Sequence, residues 1–230
     1  MTQRANGLIR ILILFTMLMG CSGGSTVPQV PEKVPEPVVA PVAAKTVPKK
    51  DPDYFFKQRM AALDRLVEGL QGKSEKEKLE GVNDFFNRVR FVSDEEAWGV
   101  KDYWATPTEF LRRDEGDCED FVIAKYFTLK KLGVPEDKLF FTYVKALKLN
   151  QAHMVLTYYE TPKSVPLILD NLNYLVLPAD KRKDLVYVYS FNAGTFFLNT
   201  QRGRGRTIEG GAAENKQWAA FLKRVQKDGL

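Results

Sequence analysis

The stretch Gly116-Asp117-Cys118-Glu119-Asp120-Phe121 decides how this chain is read, because it sets one cysteine among three acids at the head of a periodic apolar run that stops at Gly133 and Pro135. Gly116 serves as the turn residue and Asp117 as the N-cap. Asp117 through Leu132 then reads as a helix whose apolar stripe carries Phe121, Ala124, Phe127 and Leu132. Cys118 falls in the first turn, where unpaired N–H groups and the helix dipole favour negative charge on sulfur. That position suits a nucleophile attacking a carbonyl. The neighbouring acids work against it, since nearby negative charge disfavours another, so something must offset them. Two accounts of Asp117, Glu119 and Asp120 stand side by side and are compatible: helix capping, or oxygen donors for a hard cation.

A thiol nucleophile needs a base, and His153 is the one histidine of the chain. It lies in Ala152-His153-Met154-Val155-Leu156-Thr157-Tyr158-Tyr159, where alternation puts His153, Val155 and Thr157 on one face of a strand. The next strand, Val165 to Asn171, contains Asp170. A turn centred on Thr161-Pro162 pairs His153 directly with Asp170, and a longer loop makes the contact diagonal. Each residue alone has a plainer reading. Cys118 could be a small buried apolar residue, His153 a satisfied sheet histidine and Asp170 part of turn chemistry with Asn171. Trp98 and Trp104 could line a groove, although aromatic packing accounts for them as well.

Cysteine at a helix start, histidine on a strand and aspartate on the next is the order of papain- and transglutaminase-like thiol enzymes. Gly116–Phe121 with Ala124-Lys125-Tyr126-Phe127, Ala152–Leu156 and Leu169-Asp170-Asn171-Leu172 together resemble the bacterial transglutaminase-like cysteine proteinases. Tyr103–Pro107 and Val188–Asn192 share in the resemblance, which covers most of Asp51–Phe191. It implies Cys118 as nucleophile, His153 as general base and Asp170 as its orienting partner. It further implies Ca2+ on Asp117, Glu119 and Asp120. The implied substrate is a large repeat adhesin at the cell surface, cut near small residues so as to control biofilm attachment and release. An inner-membrane cyclic di-GMP receptor that sequesters the enzyme is the implied partner.

Ahead of this domain, Arg4 and Arg10 precede an apolar run from Ile11 to Met19, the layout of an export signal and too short to span a bilayer. Leu18-Met19-Gly20-Cys21 resembles a bacterial lipobox, so residues 1–20 read as a lipoprotein signal peptide and Cys21 as the lipidated residue. An ordinary signal cut near Ser22–Ser25 is the alternative. Ser22 after the cysteine favours the outer membrane, facing the periplasm. Residues 21–50 carry prolines at 28, 31, 35, 37, 41 and 48 without periodicity and form a tether rather than a core. With Cys21 lipidated, Cys118 has no partner within the chain and is either inert or kept for its chemistry.

Removing Arg4 and Arg10 from the 34 basic residues leaves 32 against 29 acids, a net charge of +3. That near balance leaves only Arg202-Gly203-Arg204-Gly205-Arg206 for a nucleic-acid reading, and such a run reads better as a solvated loop.

Within 51–230, helices are expected from Asp51 to about Leu70, from a Ser74 cap through Val89, from Thr106-Pro107 to Arg113, and from Ala213 to Lys227. The segment carrying Trp98, Tyr103 and Trp104 reads as loop. Strands are expected at Leu139–Leu147, Ala152–Tyr159, Pro166–Asp170, Leu185–Phe191 and Gly194–Leu198. Helices first and an antiparallel run of strands after them make the class α+β, papain/transglutaminase-like, with the nucleophile's helix packed on the sheet. The expected activity is that of a calcium-dependent cysteine endopeptidase. An acyl transferase of the same fold, and a calcium-binding lipoprotein without catalysis, are its rivals.

Overall fold

The computed structural model describes residues 53–192, 196–200, 203–208 and 216–227. The signal segment 1–20, Cys21 and the tether 21–50 lie outside the described residues. No helix among those described is long and apolar enough to cross a membrane.

The helix that follows Gly116 is the centre of the molecule. Helices α1 (Tyr54–Leu70) and α2 (Glu75–Phe86), the short α3 (Asp94–Trp98), α4 (Pro107–Arg113) and α5 (Cys118–Lys131) precede all but two short strands. Those are β1 (Arg90–Phe91) and β2 (Glu115–Gly116), a parallel pair. Helix α5 packs against α2, α4 and a strand of the main sheet. It is therefore buried on more than the predicted stripe: Val122, Ile123, Tyr126 and Leu129 are as enclosed as Phe121 and Ala124, whereas Phe127 is only half-buried. A helix enclosed on several faces loses the one-sided pattern by which periodicity is read.

Three of the expected caps, Ser74, Thr106 and Asp117, are present as full capping boxes. Ser74 accepts from the Glu77 N–H, Thr106 accepts from the Glu109 N–H with Pro107 at the first helical position, and each glutamate reaches back to its cap. Ser93 caps α3 in the segment expected to be loop. At five residues α3 is too short to show a period, and Gly99 ends it at φ 70°.

The main sheet continues with β3 (Leu139–Ala146), β4 (Gln151–Tyr158), β5 (Leu167–Leu169), β6 (Leu177–Pro178), β7 (Leu185–Phe191), β8 (Phe196–Thr200) and β9 (Gly203–Ile208). All neighbours are antiparallel, in the order β6-β5-β4-β3-β7-β8-β9. Helix α6 (Lys216–Lys227) closes the chain, with Trp218, Phe221 and Val225 buried. One face of the sheet meets the helices through stacked aromatics. Phe141 lies 5.3 Å from Phe191 and 4.9 Å from Trp218, and Trp104 stacks on Phe191 at 6.3 Å. Trp104 is thus core, not groove.

The basic run at 202–206 departs from its reading as a solvated loop, for it contributes the edge strand β9. The Arg204 guanidinium sits over the rings of Phe140, Tyr159 and Phe197 at 4.4, 4.8 and 5.4 Å and donates to the Asp137 carbonyl. A cation over aromatic faces is attracted by their quadrupoles, so this arginine is spent on packing. The strand expected at Gly194–Leu198 runs from Phe196 to Thr200; Gly194 is outside the described residues.

The β4–β5 register also differs from direct opposition of His153 and Asp170. Leu156 pairs with Leu169 and Tyr158 with Leu167, a shift of two residues produced by the longer connection 159–166. An even shift keeps both side chains on one face, so their contact survives as a diagonal one.

Candidate active site

Gly116 is needed for close approach, not for a turn. It lies in β2 without a positive φ, and a Cβ there would collide with the Asp120 carboxylate and come within 2.8 Å of the Phe110 ring. The bare backbone lets the Asp120 side chain fold over and accept the Asp117 N–H, while Asp117 accepts the Glu119 N–H. This capping box launches α5 with Cys118 as its first residue.

The Cys118 thiol donates to Glu119 Oε2 at 2.7 Å. Helix α5, with Cys118 at its head, packs on β4, the strand that carries His153. Strand β5 ends at Leu169, opposite Leu156, and leaves the start of β4 without a paired strand on that side. Cys118 is the free cysteine of the described residues. Burial, then Glu119 and Asp117, push its thiol well above the ordinary range. Burial and the acids together favour the thiol over the thiolate at the head of α5.

The predicted acid trio gains a fourth member. Asp94, at the start of α3, accepts the Tyr103 N–H through Oδ2, while its Oδ1 is buried without a partner. Carboxylate oxygens of Asp94, Asp117 and Asp120 lie within 4.8 Å of one another; one ligand atom each from Asp117, Cys118 and Glu119 forms a second such group. Asp120 is fully buried and accepts the Ala105 N–H at 2.7 Å. Burial, then its acidic neighbours, drive Asp117 up to about 9. Burial and the charges of Asp94 and Glu119 hold Asp120 at about 8. Carboxylates pressed together with one bare oxygen among them fit a hard divalent cation, which prefers oxygen ligands. Sequence spacing had no means of finding Asp94, 23 residues upstream in a segment that reads as loop.

His153 and Asp170 meet directly, with Nε2 of the imidazole 2.7 Å from Asp170 Oδ1, and both residues are buried. Burial opposes charge on Asp170, yet bonds from His153, the Leu172 N–H and Arg182 hold it ionised, at about 2. An ionised carboxylate only accepts, so Nε2 carries the proton and Nδ1 is left as the basic atom of the ring. The Leu172 contact, 2.9 Å from its N–H to Oδ1, is the turn chemistry expected of Asp170-Asn171, and it coexists with the histidine contact.

Three residues behind Asp170 escaped the sequence reading. Arg182, buried among exposed lysines, donates to Asp170 Oδ2 at 2.6 Å. Asn87 donates to the Asp170 carbonyl at 2.8 Å, and the wholly buried Lys125 donates to Asn87 Oδ1 at 2.7 Å. Burial lowers Lys125 to about 7. A lysine inside the apolar run of α5 was the available signal, since buried charge is rare without a partner.

Comparison with known proteins adds an independent line. Residues 61–191 match the family model described as bacterial transglutaminase-like cysteine proteinase. Among solved structures, calcium-bound LapG of Legionella pneumophila is 44% identical over 74% of this chain and 91% of its own, with a TM-score of 0.66. EGTA-treated LapG from the same organism is also 44% identical, over 74% of this chain and 89% of its own, with a TM-score of 0.65. No curated protein matches the chain.

Proposed function

The chain belongs to the bacterial transglutaminase-like cysteine proteinases, and from that membership we propose that it is a calcium-dependent endopeptidase using Cys118, His153 and Asp170. The observation that carries the reading is the buried His153–Asp170 pair, with His153 on the strand against which α5, headed by Cys118, is packed.

In this mechanism His153 Nδ1 takes the thiol proton as sulfur attacks the scissile carbonyl. Asp170 keeps Nε2 protonated and steadies the imidazolium that forms. The Cys118 N–H, at the open head of α5, donates to the carbonyl oxygen as it gains charge. His153 returns the proton to the leaving amine, which departs and leaves a thioester on Cys118. Water, deprotonated by the same nitrogen, then releases the acid and the free thiol.

Asp94, Asp117, Glu119 and Asp120 would hold calcium, the ion bound by the Legionella LapG structure. When bound, the ion supplies positive charge beside acids that otherwise hold the thiol protonated. The remaining expectations belong to the same proposal. The substrate is a large repeat adhesin cut near small residues, Cys21 anchors the enzyme to the outer membrane on the periplasmic side, and an inner-membrane cyclic di-GMP receptor sequesters it. The export-type leader and proline-rich tether support that setting.

The test incubates the purified protein with candidate surface adhesins, with and without chelator, beside Cys118→Ala. Two free fragments that appear only with calcium and only with Cys118 support the reading. Cleavage retained by Cys118→Ala ends it. A cross-linked product from a glutamine peptide and an amine would instead mark an acyl transferase. Failure of a thiol-reactive peptide to label Cys118 would mark a binding protein.

A further inference from the structure

Asp170 is held on both of its carboxylate oxygens, and the two holds differ in kind. Oδ1 receives His153 Nε2 at 2.7 Å and the Leu172 N–H at 2.9 Å, while Oδ2 receives Arg182 Nη2 at 2.6 Å. The terminal torsion of an aspartate is broad, so bonds that converge on one oxygen leave the carboxylate plane free to swing. A donor on the second oxygen stops that swing.

Arg182 is itself fixed from outside. Its Nε and Nη2 donate to the two oxygens of Asp184 at 2.9 and 2.8 Å, and Asp184 is partly exposed. The guanidinium is planar, always charged and shaped to hold a carboxylate in a set orientation. Stability alone accounts poorly for this arrangement. Buried ion pairs are often replaceable by apolar residues without loss, and here Arg182 Nη1 is buried with no partner at all. The sequence places this one enclosed arginine between the exposed Lys181 and Lys183.

We propose that Arg182 is a positioning residue for the reaction, locking the Asp170 carboxylate and through it the orientation and tautomer of the His153 ring. The inference rests on the reading of His153 as general base. Arg182 touches neither substrate nor sulfur; its effect passes through Asp170.

His153 is the one imidazole of the chain, so its 15N-coupled NMR signals need no assignment. In the purified full chain the expected ring form carries its proton on Nε2. Arg182→Met should shift or broaden that proton and lower kcat on the order of tenfold to a hundredfold with KM unchanged. Arg182→Lys, which restores a cation at Oδ2, should recover both. Asp184→Asn, which loosens the anchor, should move the ring signals the same way by less, and it carries the test with Arg182→Lys where the methionine variant does not fold. Unchanged ring signals in Arg182→Met overturn the proposal, as does a kcat loss that only follows the unfolded fraction and is not recovered by lysine. If the wild type cleaves nothing, the proposed function falls, while the ring signals still decide whether Arg182 governs His153.

Discussion

The ammonium of Lys125 donates to the amide oxygen of Asn87 at 2.7 Å, fully enclosed by the protein. Its pKa, about 7 in the fold against 10.5 ordinarily, means that native Lys125 gives up its proton where the unfolded chain still keeps one. Its contribution to stability is therefore full above about 10.5 and is lost as pH falls to about 7. Lys125→Met has no such dependence but leaves Asn87 Oδ1 without its donor, at about 1–3 kcal/mol. The two stability curves are expected to cross, with the wild type ahead at pH 10 and the variant ahead at pH 6. Chemical denaturation across that range reads it, and parallel curves would show that burial does not disfavour the charge.

Asp170→Asn keeps the shape of the side chain while removing the buried one of the two carboxylates that Arg182 meets, Asp184 being the other. Leaving a buried charge wholly unpaired costs about 3–5 kcal/mol, and with Asp184 still on the guanidinium the loss should be smaller than that. Turnover should fall with it, since the amide cannot hold the imidazole as the carboxylate does. Denaturant unfolding and peptide cleavage report the two effects separately. A variant that turns over normally would remove Asp170 from the mechanism.

Asp117 at about 9 and Asp120 at about 8 stand far above the ordinary 3.8. The metal-free native state therefore holds protons that the unfolded chain has released, and its stability falls as pH rises from about 4 toward 9. Calcium, binding only the folded set of ionised acids, opposes that fall. Melting temperature measured in chelator should decline from pH 5 to 9 and should hold level with calcium present. Superimposable curves would argue that no cation sits there.

Asp94→Asn keeps an oxygen for the Tyr103 N–H and removes only charge. Calcium affinity by titration calorimetry is expected to drop on the order of tenfold to a hundredfold, with little change in metal-free stability. Undiminished affinity would return the site to the trio Asp117, Glu119 and Asp120.

Gly116→Ala forces a methyl group against Asp120 and Phe110. Overpacking of this kind costs about 1–3 kcal/mol, and the displaced carboxylate takes the helix cap with it. Loss of stability together with loss of cleavage is expected; an unperturbed melt would mean that the Asp120 side chain has room to move aside.

The parts of the site that could be read from residues were those carried by rare types. The chain has one histidine and its described residues one free cysteine, which narrows the candidates for nucleophile and base, and Asp170 becomes a candidate partner through the hairpin. Register was not legible, because the connection 159–166 has the same composition at either length. Asp94 was hidden by a helix too short for periodicity, and Arg182 by flanking lysines that mimic a solvated surface. The strand β9 was hidden because Gly203-Arg204-Gly205 carries no β-branched or aromatic residue. Its pairing rests on the ring cluster that Arg204 covers.

The early stop of β5 shapes what can inhibit this protein. Met154 and Val155, on the stretch of β4 that β5 leaves unpaired, are nevertheless fully buried, so an extended peptide cannot add itself there as a further strand. Blockers that imitate a strand are thereby shut out of this edge, and an inhibitor has to be chosen for what its side chains or its reactive group can do.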